Sequence, residues 1–317
     1  MKRLGSSADN FAIPLFLLEP PKDSRIPFKF ETPSLSEPCC QTCTENQFAE
    51  PLYFELSEIL ELKHRGLHRK AWEFVWIAAV LKKAALLREG NKGIGFGVGG
   101  EPLPAFFASH GVQVVATDAP PAAINGQGWD VIGQHAVSLE PLKRPQMLDN
   151  GKFDRLVQFE PVDMNNIPPH LKNFDFCWSA CCFEHLGSIE LGLNFVEQSL
   201  KTLRPGGLAV HTTEFNISSN EATLEIPTLS LFRKRDIEAL YGRLIAAGHK
   251  VWPLNLHPGT GPADAHIDLP PYGSPHLKVA VRAYATTSIG LVIEKGHRTG
   301  SGILNSWYKW IFCLTAA

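Results

Sequence analysis

The chain has 317 residues, 44% hydrophobic and 20% charged, a composition typical of a globular protein that buries a sizeable core. Its 30 basic and 32 acidic residues give a formal net charge of −2, which argues against a broad nucleic-acid-binding surface. The seven cysteines follow no regular spacing, which indicates a reducing, cytoplasmic location. The apolar run at 71–81 contains Glu73 and is too short to span a bilayer, so we expect no membrane partner. The oligomeric state stays open.

The first 90 residues predict an extension ahead of the main domain. Residues 1–50 are rich in proline, serine and glutamate without a clear period, which predicts an irregular N-terminal arm. Residues 51–90 predict a helical cap, because Trp72 belongs to a stripe of apolar residues at helical spacing. Gly66 is expected to divide this cap into two helices, and Gly90 to end the second one.

From residue 91 onward, short apolar strands alternate with amphipathic helices. Strands are predicted at 92–96, 112–117, 156–159, 174–179 and 208–213, and apolar segments at 251–256 and 277–292 supply the last ones. Helices are predicted at 103–110, 189–203 and 236–247. Strands separated by helices imply a mostly parallel sheet covered on both faces. The predicted fold is therefore α/β and doubly wound, with a seven-stranded sheet and an N-terminal helical and irregular extension.

A glycine-rich turn, GFGVGG at 95–100, lies where the first predicted strand of the domain leads into a helix. Glycine suits such a turn because it accepts a positive φ and lets a ligand approach the backbone. The helix that follows is expected to offer free N–H groups at its N-terminus. Asp118 ends the next predicted strand, where a carboxylate can accept the hydroxyl hydrogens of a ribose. The spacing of Gly95, Gly97 and Gly100 matches the dinucleotide fingerprint, so the residues alone leave the cofactor open.

Four segments taken together resemble the class I S-adenosylmethionine-dependent methyltransferases, in particular those that act on small molecules. The segments are G-x-G-x-G at 95–99, VDM at 162–164, FDFCWS at 174–179 leading into FEHL at 183–186, and LRPGG at 203–207. The resemblance extends from about residue 72 to 214. It implies a Rossmann-like fold, a methyltransferase domain at 91–297, methyl transfer as the activity and S-adenosylmethionine as the cofactor.

The resemblance also implies which residues bind that cofactor. Asp163 would meet the adenine amino group, and Met164 would contact adenine through its backbone and side chain. Trp72 lies in a helix that often covers the cofactor in this fold, although it equally fits a buried aromatic stripe. The cofactor-binding residues expected on this basis are Gly95, Phe96, Gly97, Gly99, Glu101, Asp118, Asp163, Met164, Ser179 and Trp72.

The chain departs from the family pattern at one position. The family usually carries an acidic residue two positions before the first glycine of its motif, and here that position is Gly93. The carboxylate that commonly holds the methionine amino group is therefore missing. Glu101, just past the glycines, is the candidate substitute.

Two residues after the fourth strand are the catalytic candidates. His185 is the candidate general base, because the unperturbed pKa of histidine lies near neutrality. The alternative is a histidine that packs at a helix start. Glu184 is expected either to bind the acceptor or to favour the N-terminus of the following helix.

Two further groups of residues have no role in these motifs. Cys39, Cys40 and Cys43 form a compact cluster, but no second cysteine pair completes a set of four ligands, so we expect no metal.

An insertion at about 257–276 is the place where acceptor specificity is expected, and residues 298–317 are expected to form a C-terminal tail. The polar residues of the insertion that are candidates for the acceptor pocket are Asp264, His266, Asp268 and Tyr272.

The sequence thus predicts S-adenosylmethionine-dependent methyl transfer to a small-molecule or glycan-like acceptor at oxygen. The low net charge disfavours nucleic acid as the acceptor. Two alternatives remain at this point. One is an NAD(P)-dependent oxidoreductase that uses the same glycine turn, and the other is a module that binds S-adenosylmethionine without catalysis.

Overall fold

The computed structural model describes residues 14–62, 65–120 and 135–297. The expected C-terminal tail at 298–317 and the first 13 residues of the expected arm lie outside these described residues. None of the helices in the described ranges combines the length and apolar character that crossing a membrane demands.

The secondary-structure elements of the described residues follow in chain order. The α-helices are α1 (Leu15–Leu18), α2 (Pro51–Ile59), α3 (Arg69–Lys83), α4 (Leu103–Ser109), α5 (Asn150–Leu156), α6 (Ile189–Ser199), α7 (Lys234–Ala246) and α8 (Pro262–Ala265). The strands are β1 (Phe28–Lys29), β2 (Cys40–Gln41), β3 (Lys92–Phe96), β4 (Gln113–Asp118), β5 (Val157–Pro161), β6 (Phe174–Ala180), β7 (Leu203–Asn216), β8 (Glu225–Ile226), β9 (Leu229–Ser230), β10 (Lys250–Val251), β11 (Leu254–Asn255), β12 (Val279–Val281) and β13 (Tyr284–Glu294). Short 3₁₀ helices span Glu45–Ala49, Glu140–Leu142, Phe183–His185 and Leu200–Thr202.

The main sheet has the strand order β10-β13-β7-β6-β3-β4-β5, and β12 pairs with β13 beside this path. The five strands β7, β6, β3, β4 and β5, neighbours in this order, run parallel to one another. By contrast, β13 runs antiparallel to β7, β10 and β12. The prediction of a Rossmann-like, mostly parallel α/β sheet is confirmed, and the short β12 is added to the seven predicted strands.

Helices cover both faces of this sheet. His211 of β7 is 3.1 Å from the hydroxyl of Ser199, which ends α6. The next residue, Thr212, pairs with Gly290 of β13, where an added Cβ would lie 2.4 Å from the ring of Trp76 in α3. Adjacent residues of a strand point to opposite faces, so α6 and α3 lie on opposite sides of the sheet. Gly290 is what allows the indole of α3 to pack directly against the strand.

The N-terminal arm is more regular than the sequence predicts. Its strands β1 and β2 pair on either side of β11 in a small parallel sheet. The backbone N–H of Val292 in β13 donates to the sulfur of Cys40 at 3.2 Å, which ties the arm to the main sheet. Leu35, Cys40 and Cys43 are buried in the same hydrophobic cluster as the domain. The arm therefore shares the core of the chain that follows it.

Candidate active site

A cavity of about 510 Å³ opens at the carboxyl ends of the parallel strands. Its wall includes Gly97 after β3, Asp118 at the end of β4, Asp163 after β5 and Cys181 after β6. The strand order reverses between β3 and β6, because the chain fills β4 and β5 on one side before it returns to β6 and β7 on the other. Open α/β sheets bind ligands at such a reversal, and the volume suits a small molecule.

The glycine turn brings backbone to the cavity wall at Gly97 and Gly99. Gly97 has a φ of +61°, and an added Cβ would lie 2.9 Å from the Cβ and the Sγ of Cys182. Both the left-handed backbone and the lack of space therefore require glycine here. The Cys182 side chain, itself on the cavity wall, packs where a side chain of residue 97 would stand.

Gly95 and Phe96 precede the turn at the end of β3, and neither lines the cavity. A Cβ on Gly95 would lie 2.3 Å from the ring of Trp178, so the glycine is needed for packing inside the sheet. Phe96 is fully buried, and its ring centroid lies 5.3 Å from that of Phe195. Gly95 and Phe96 were expected to contact the cofactor. In the structure they instead pack inside the sheet.

Asp118 is almost fully buried and accepts three backbone hydrogen bonds. Its Oδ2 accepts from the N–H groups of Gly99 at 2.9 Å and Ala136 at 3.0 Å, and its Oδ1 accepts from Ala119 at 2.8 Å. Burial raises the pKa of Asp118, although the three N–H donors act in the opposite direction. A carboxylate has about four acceptor positions, so roughly one remains for a ligand in the cavity.

Part of the turn into α4 has no backbone donor for an anion. The N–H groups of Val98, Gly99 and Glu101 are bonded within the protein. Pro102 and Pro104, which flank the first residue of α4, have no N–H at all. The expectation of free N–H groups at this helix N-terminus is therefore wrong at the two prolines.

Glu101 supplies the carboxyl group that the cavity wall holds next to the glycines. The side chain is 6% exposed, and its Oε1 accepts the indole N–H of Trp178 at 2.5 Å. Burial raises the pKa of Glu101 to about 8, against the effect of the Trp178 donor, which lowers it. At Gly93 an added Cβ would lie 2.5 Å from the ring of Phe176, so a carboxylate cannot be placed there.

Asp163 and Met164 both reach the cavity from the segment after β5. Met164 is 8% exposed and presents a soft apolar surface. Asp163 is exposed, and its Oδ1 accepts the backbone N–H of Asn165 at 2.8 Å, which holds the segment in a local turn. This pair combines an apolar contact with a carboxylate at the mouth of the cavity.

Of the two catalytic candidates, His185 lines the cavity and Glu184 does not. The Nδ1 of His185 lies 2.7 Å from the carbonyl oxygen of Thr228, so Nδ1 carries the hydrogen and donates it. Glu184 is 2% exposed, and its Oε2 accepts the hydroxyl hydrogen of Thr213 at 3.0 Å. Burial raises the pKa of Glu184. The expectation that Glu184 contacts the acceptor is corrected, because its carboxyl group is bonded inside the protein.

Trp72 and Ser179 are two further expected cofactor contacts that the structure places in the core. Trp72 is fully buried, and its indole N–H donates to Gln47 at 2.8 Å. Ser179 is also fully buried, with its hydroxyl 2.8 Å from the Nδ1 of His211. Burial lowers the pKa of His211 to about 3, so this imidazole is a neutral structural group. Both expectations are corrected to packing roles.

The insertion does not supply the acceptor pocket that its polar residues suggested. Asp264, His266, Asp268 and Tyr272 are all absent from the cavity wall. Asp268 instead accepts from the Nδ1 of His276 at 2.5 Å. The wall includes several residues that the motifs did not indicate, namely Leu60, Arg65, Lys70, Phe74, Arg144, Cys181 and Cys182. The two cysteines directly follow β6, and this position at a carboxyl strand end was the signal that could have identified them.

One group of metal-ligand types is found among the described residues. The candidate ligand atoms of Cys181, Glu184 and Glu214 lie within 4.8 Å of one another. Glu214 is, however, paired with the guanidinium of Arg69 at 2.5 Å and accepts from Thr286 at 2.9 Å. Both carboxyl groups are thus engaged by protein donors, and the guanidinium opposes a cation at this point.

Comparison with known proteins gives similarity to solved structures only, since neither a protein-family profile nor a curated protein matches the sequence. The 1,6-didemethyltoxoflavin-N1-methyltransferase of Burkholderia thailandensis is 16% identical, with 80% of this chain and 90% of that chain covered and a TM-score of 0.42. The magnesium protoporphyrin IX methyltransferase of Synechocystis is 11% identical, with 75% and 86% covered and a TM-score of 0.42. A SAM-dependent methyltransferase of Aquifex aeolicus is 15% identical, with 76% and 97% covered and a TM-score of 0.36.

The raised pKa of Glu101 predicts a pH-dependent contribution to stability. The folded protein holds a proton on Glu101 up to a pKa of about 8, whereas the unfolded chain releases it near the ordinary value of 4.5. The free energy of unfolding of the wild type, relative to Glu101→Gln, should therefore fall by at most about 1.4 kcal/mol per pH unit as pH rises between these values. Urea unfolding at several pH values measures this difference.

Glu221→Gln provides the control for this measurement, because the Glu221 side chain is 84% exposed. Its free-energy difference from the wild type should show no comparable slope over the same pH range. A flat difference for Glu101→Gln as well would mean that Glu101 ionises normally in the folded protein.

Proposed function

We propose that the chain binds S-adenosylmethionine in this cavity and transfers its methyl group to a small-molecule acceptor. The observation that carries this proposal is the chemistry of the glycine turn. The turn presents the buried carboxyl group of Glu101, while Pro102, Pro104 and three internally bonded N–H groups reduce its capacity to bind an anion.

This chemistry distinguishes the two cofactors that the glycine spacing allows. A dinucleotide places its pyrophosphate on free N–H groups at the start of the helix. A carboxyl group at that point would repel a pyrophosphate once ionised. An ammonium group, such as that of a methionine, is instead the natural partner of Glu101, because a cation stabilises the carboxylate form.

The remaining wall residues fit the other parts of the same cofactor. Asp118 retains an acceptor position for a ribose hydroxyl, and Met164 offers an apolar contact for adenine, with Asp163 beside it. The backbone of Gly97 also lines the cavity, beside Cys182. When bound, S-adenosylmethionine supplies an electrophilic methyl group, and the protein contributes mainly orientation and exclusion of water.

His185 is the proposed general base for an acceptor hydroxyl. Its Nδ1–H donates to the carbonyl of Thr228, so Nε2 is the ring nitrogen that would accept a proton. The residue lies on the cavity wall directly after β6, where the acceptor would stand. We accordingly propose oxygen as the methylated atom, on a small molecule or a glycan-like acceptor.

Isothermal titration of the protein with S-adenosylhomocysteine and, in parallel, NADH tests the cofactor. Above pH 8, where Glu101 is ionised, S-adenosylhomocysteine should bind through its ammonium group and NADH should not, because the carboxylate opposes a pyrophosphate. Asp118→Asn should weaken S-adenosylhomocysteine binding by about tenfold or more, since it disturbs both the ribose contact and the turn. Asp154→Asn is the matched control, because Asp154 is half exposed and pairs with Lys143 at 3.2 Å away from the cavity wall. Binding of NADH alone would make the turn a dinucleotide site.

His185→Gln tests the catalytic role separately. The variant should bind S-adenosylhomocysteine as the wild type does, because His185 is assigned to the acceptor. Methylation of an un-ionised hydroxyl should fall by about a hundredfold or more, the usual contribution of a general base. Formation of S-adenosylhomocysteine from an acceptor measures the rate, and an unchanged rate would leave His185 with a packing role.

A further inference from the structure

Helix α3 begins with two cations, which is an unfavourable arrangement that needs an explanation. Arg69 and Lys70 form the start of the helix, and its first turn contains no acidic residue. The partial positive charge of a helix N-terminus disfavours cations there by a few tenths of a kcal/mol or more. Sequences that break such a local rule tend to do so at functional sites. Lys70 is the member of this pair that lines the cavity.

A buried ion network holds both cations in place. Arg69 pairs with Glu214 at 2.5 Å, and Lys70 pairs with Glu73 at 2.7 Å. Glu73 is fully buried and also accepts the hydroxyl hydrogen of Ser288 at 2.5 Å. Burial lowers the pKa of Lys70, but the Glu73 carboxylate outweighs it and the net shift is upward. The amino group therefore stays charged beside the cavity.

The ammonium of Lys70 has a donor left for a ligand. It carries three N–H groups. The nitrogen forms an ion pair with Glu73 at 2.7 Å and donates to the carbonyl oxygen of Ala180, a residue of the cavity wall, at 3.1 Å. The Lys70 side chain is 28% exposed and lines the cavity, and the network holds its nitrogen in place.

The surroundings of Lys70 include an apolar surface. Phe74, one helical turn later, lines the same wall, and the nitrogen of Lys70 lies 5.9 Å from the centre of its ring. Glu61 and Arg65 also line the cavity and contribute one charge of each sign. The distinctive polar feature of this wall is thus a fixed ammonium next to an aromatic ring.

We propose that Lys70 selects an acceptor that presents an anionic oxygen, either a carboxylate or an ionised hydroxyl, with an apolar body against Phe74. The inference rests on the proposed function, since it concerns the acceptor of the same site. An ammonium group only donates hydrogen bonds, so it requires a lone pair on its partner. A protonated amine would meet the like charges of Lys70 and of the sulfonium and would be rejected.

The reaction balances without a further reactant. The acceptor oxygen forms a bond to the methyl carbon while the carbon–sulfur bond breaks and its electron pair stays on sulfur. An acceptor that enters as an oxyanion releases no proton in this step. A hydroxyl that enters un-ionised gives its proton to His185, so the two kinds of acceptor differ in their need for that residue.

Three probes of similar size test the proposal on the protein saturated with S-adenosylhomocysteine. Titration calorimetry should show binding of benzoate, or of 4-nitrophenolate at alkaline pH, and no binding of benzylammonium. The two anions distinguish the carboxylate source from the phenolate source. Lys70→Met should weaken binding of the anion by about tenfold or more, because a charge-assisted hydrogen bond is lost.

Two further variants keep this test decisive. Lys70→Met leaves the buried Glu73 with only Arg69, at 3.6 Å, as a cation partner, so the double variant Lys70→Met/Glu73→Gln removes both charges of the pair together. Lys83→Met is the matched control, because Lys83 ends α3, is 46% exposed and pairs with Glu37. The control should bind the anion as the wild type does.

Each outcome separates the acceptor proposal from the cofactor proposal. The Lys70 variants should bind S-adenosylhomocysteine within about twofold of the wild type, since Lys70 is assigned to the acceptor. Preference for benzylammonium, failure of both anions to bind, or anion binding unchanged in the Lys70 variants would each overturn the acceptor assignment alone. Failure of the wild type to bind S-adenosylhomocysteine would instead overturn the proposed function.

Discussion

The carboxylate of Asp118 is the interaction on which the cavity depends. It accepts N–H groups from the glycine turn after β3, from the residue that follows β4, and from Ala136. Three segments that meet at the carboxyl edge of the sheet are thereby fixed to one buried side chain. A buried N–H without a partner costs about 1–3 kcal/mol, so loss of this carboxylate would loosen all three segments at once.

The charged groups of the cavity follow from how this edge is built. The turn uses the N–H groups of Val98, Gly99 and Glu101 for hydrogen bonds within the protein, and the neighbouring prolines add none. Glu101 brings a buried carboxyl group to the cavity wall, and Lys70 from α3 brings an ammonium group. A zwitterionic cofactor and an anionic acceptor are complementary to such a pair of groups.

Sequence periodicity predicted the order of the main sheet elements but not every boundary. Strand β3 and the start of β6 lie where predicted, because short apolar runs bounded by glycine or polar residues have few alternatives. Strand β7 extends to Asn216, three residues beyond the prediction, because β13 pairs with it along that stretch. Helix α5 escaped prediction, since its sequence NGKFDRL has only two apolar residues and a glycine.

The candidate site was predicted best where backbone geometry determines the residue. Gly97, Asp118 and Glu101 all line the cavity, and their contact with a cofactor stays a prediction. Trp72 and Lys70 are two positions apart on α3, yet only Lys70 lines the cavity, and the apolar stripe could not show which part of the helix meets a ligand. That distinction depends on packing across the sheet, which local sequence does not contain.

The most direct test of the central claim is a crystal structure of the protein grown with S-adenosylhomocysteine. The ligand should lie in the cavity at the β3–β6 reversal, with its amino group on Glu101 and its ribose on Asp118. A ligand bound elsewhere, or one whose amino group avoids Glu101, would contradict the proposal that this acidic turn is built for a methyl donor.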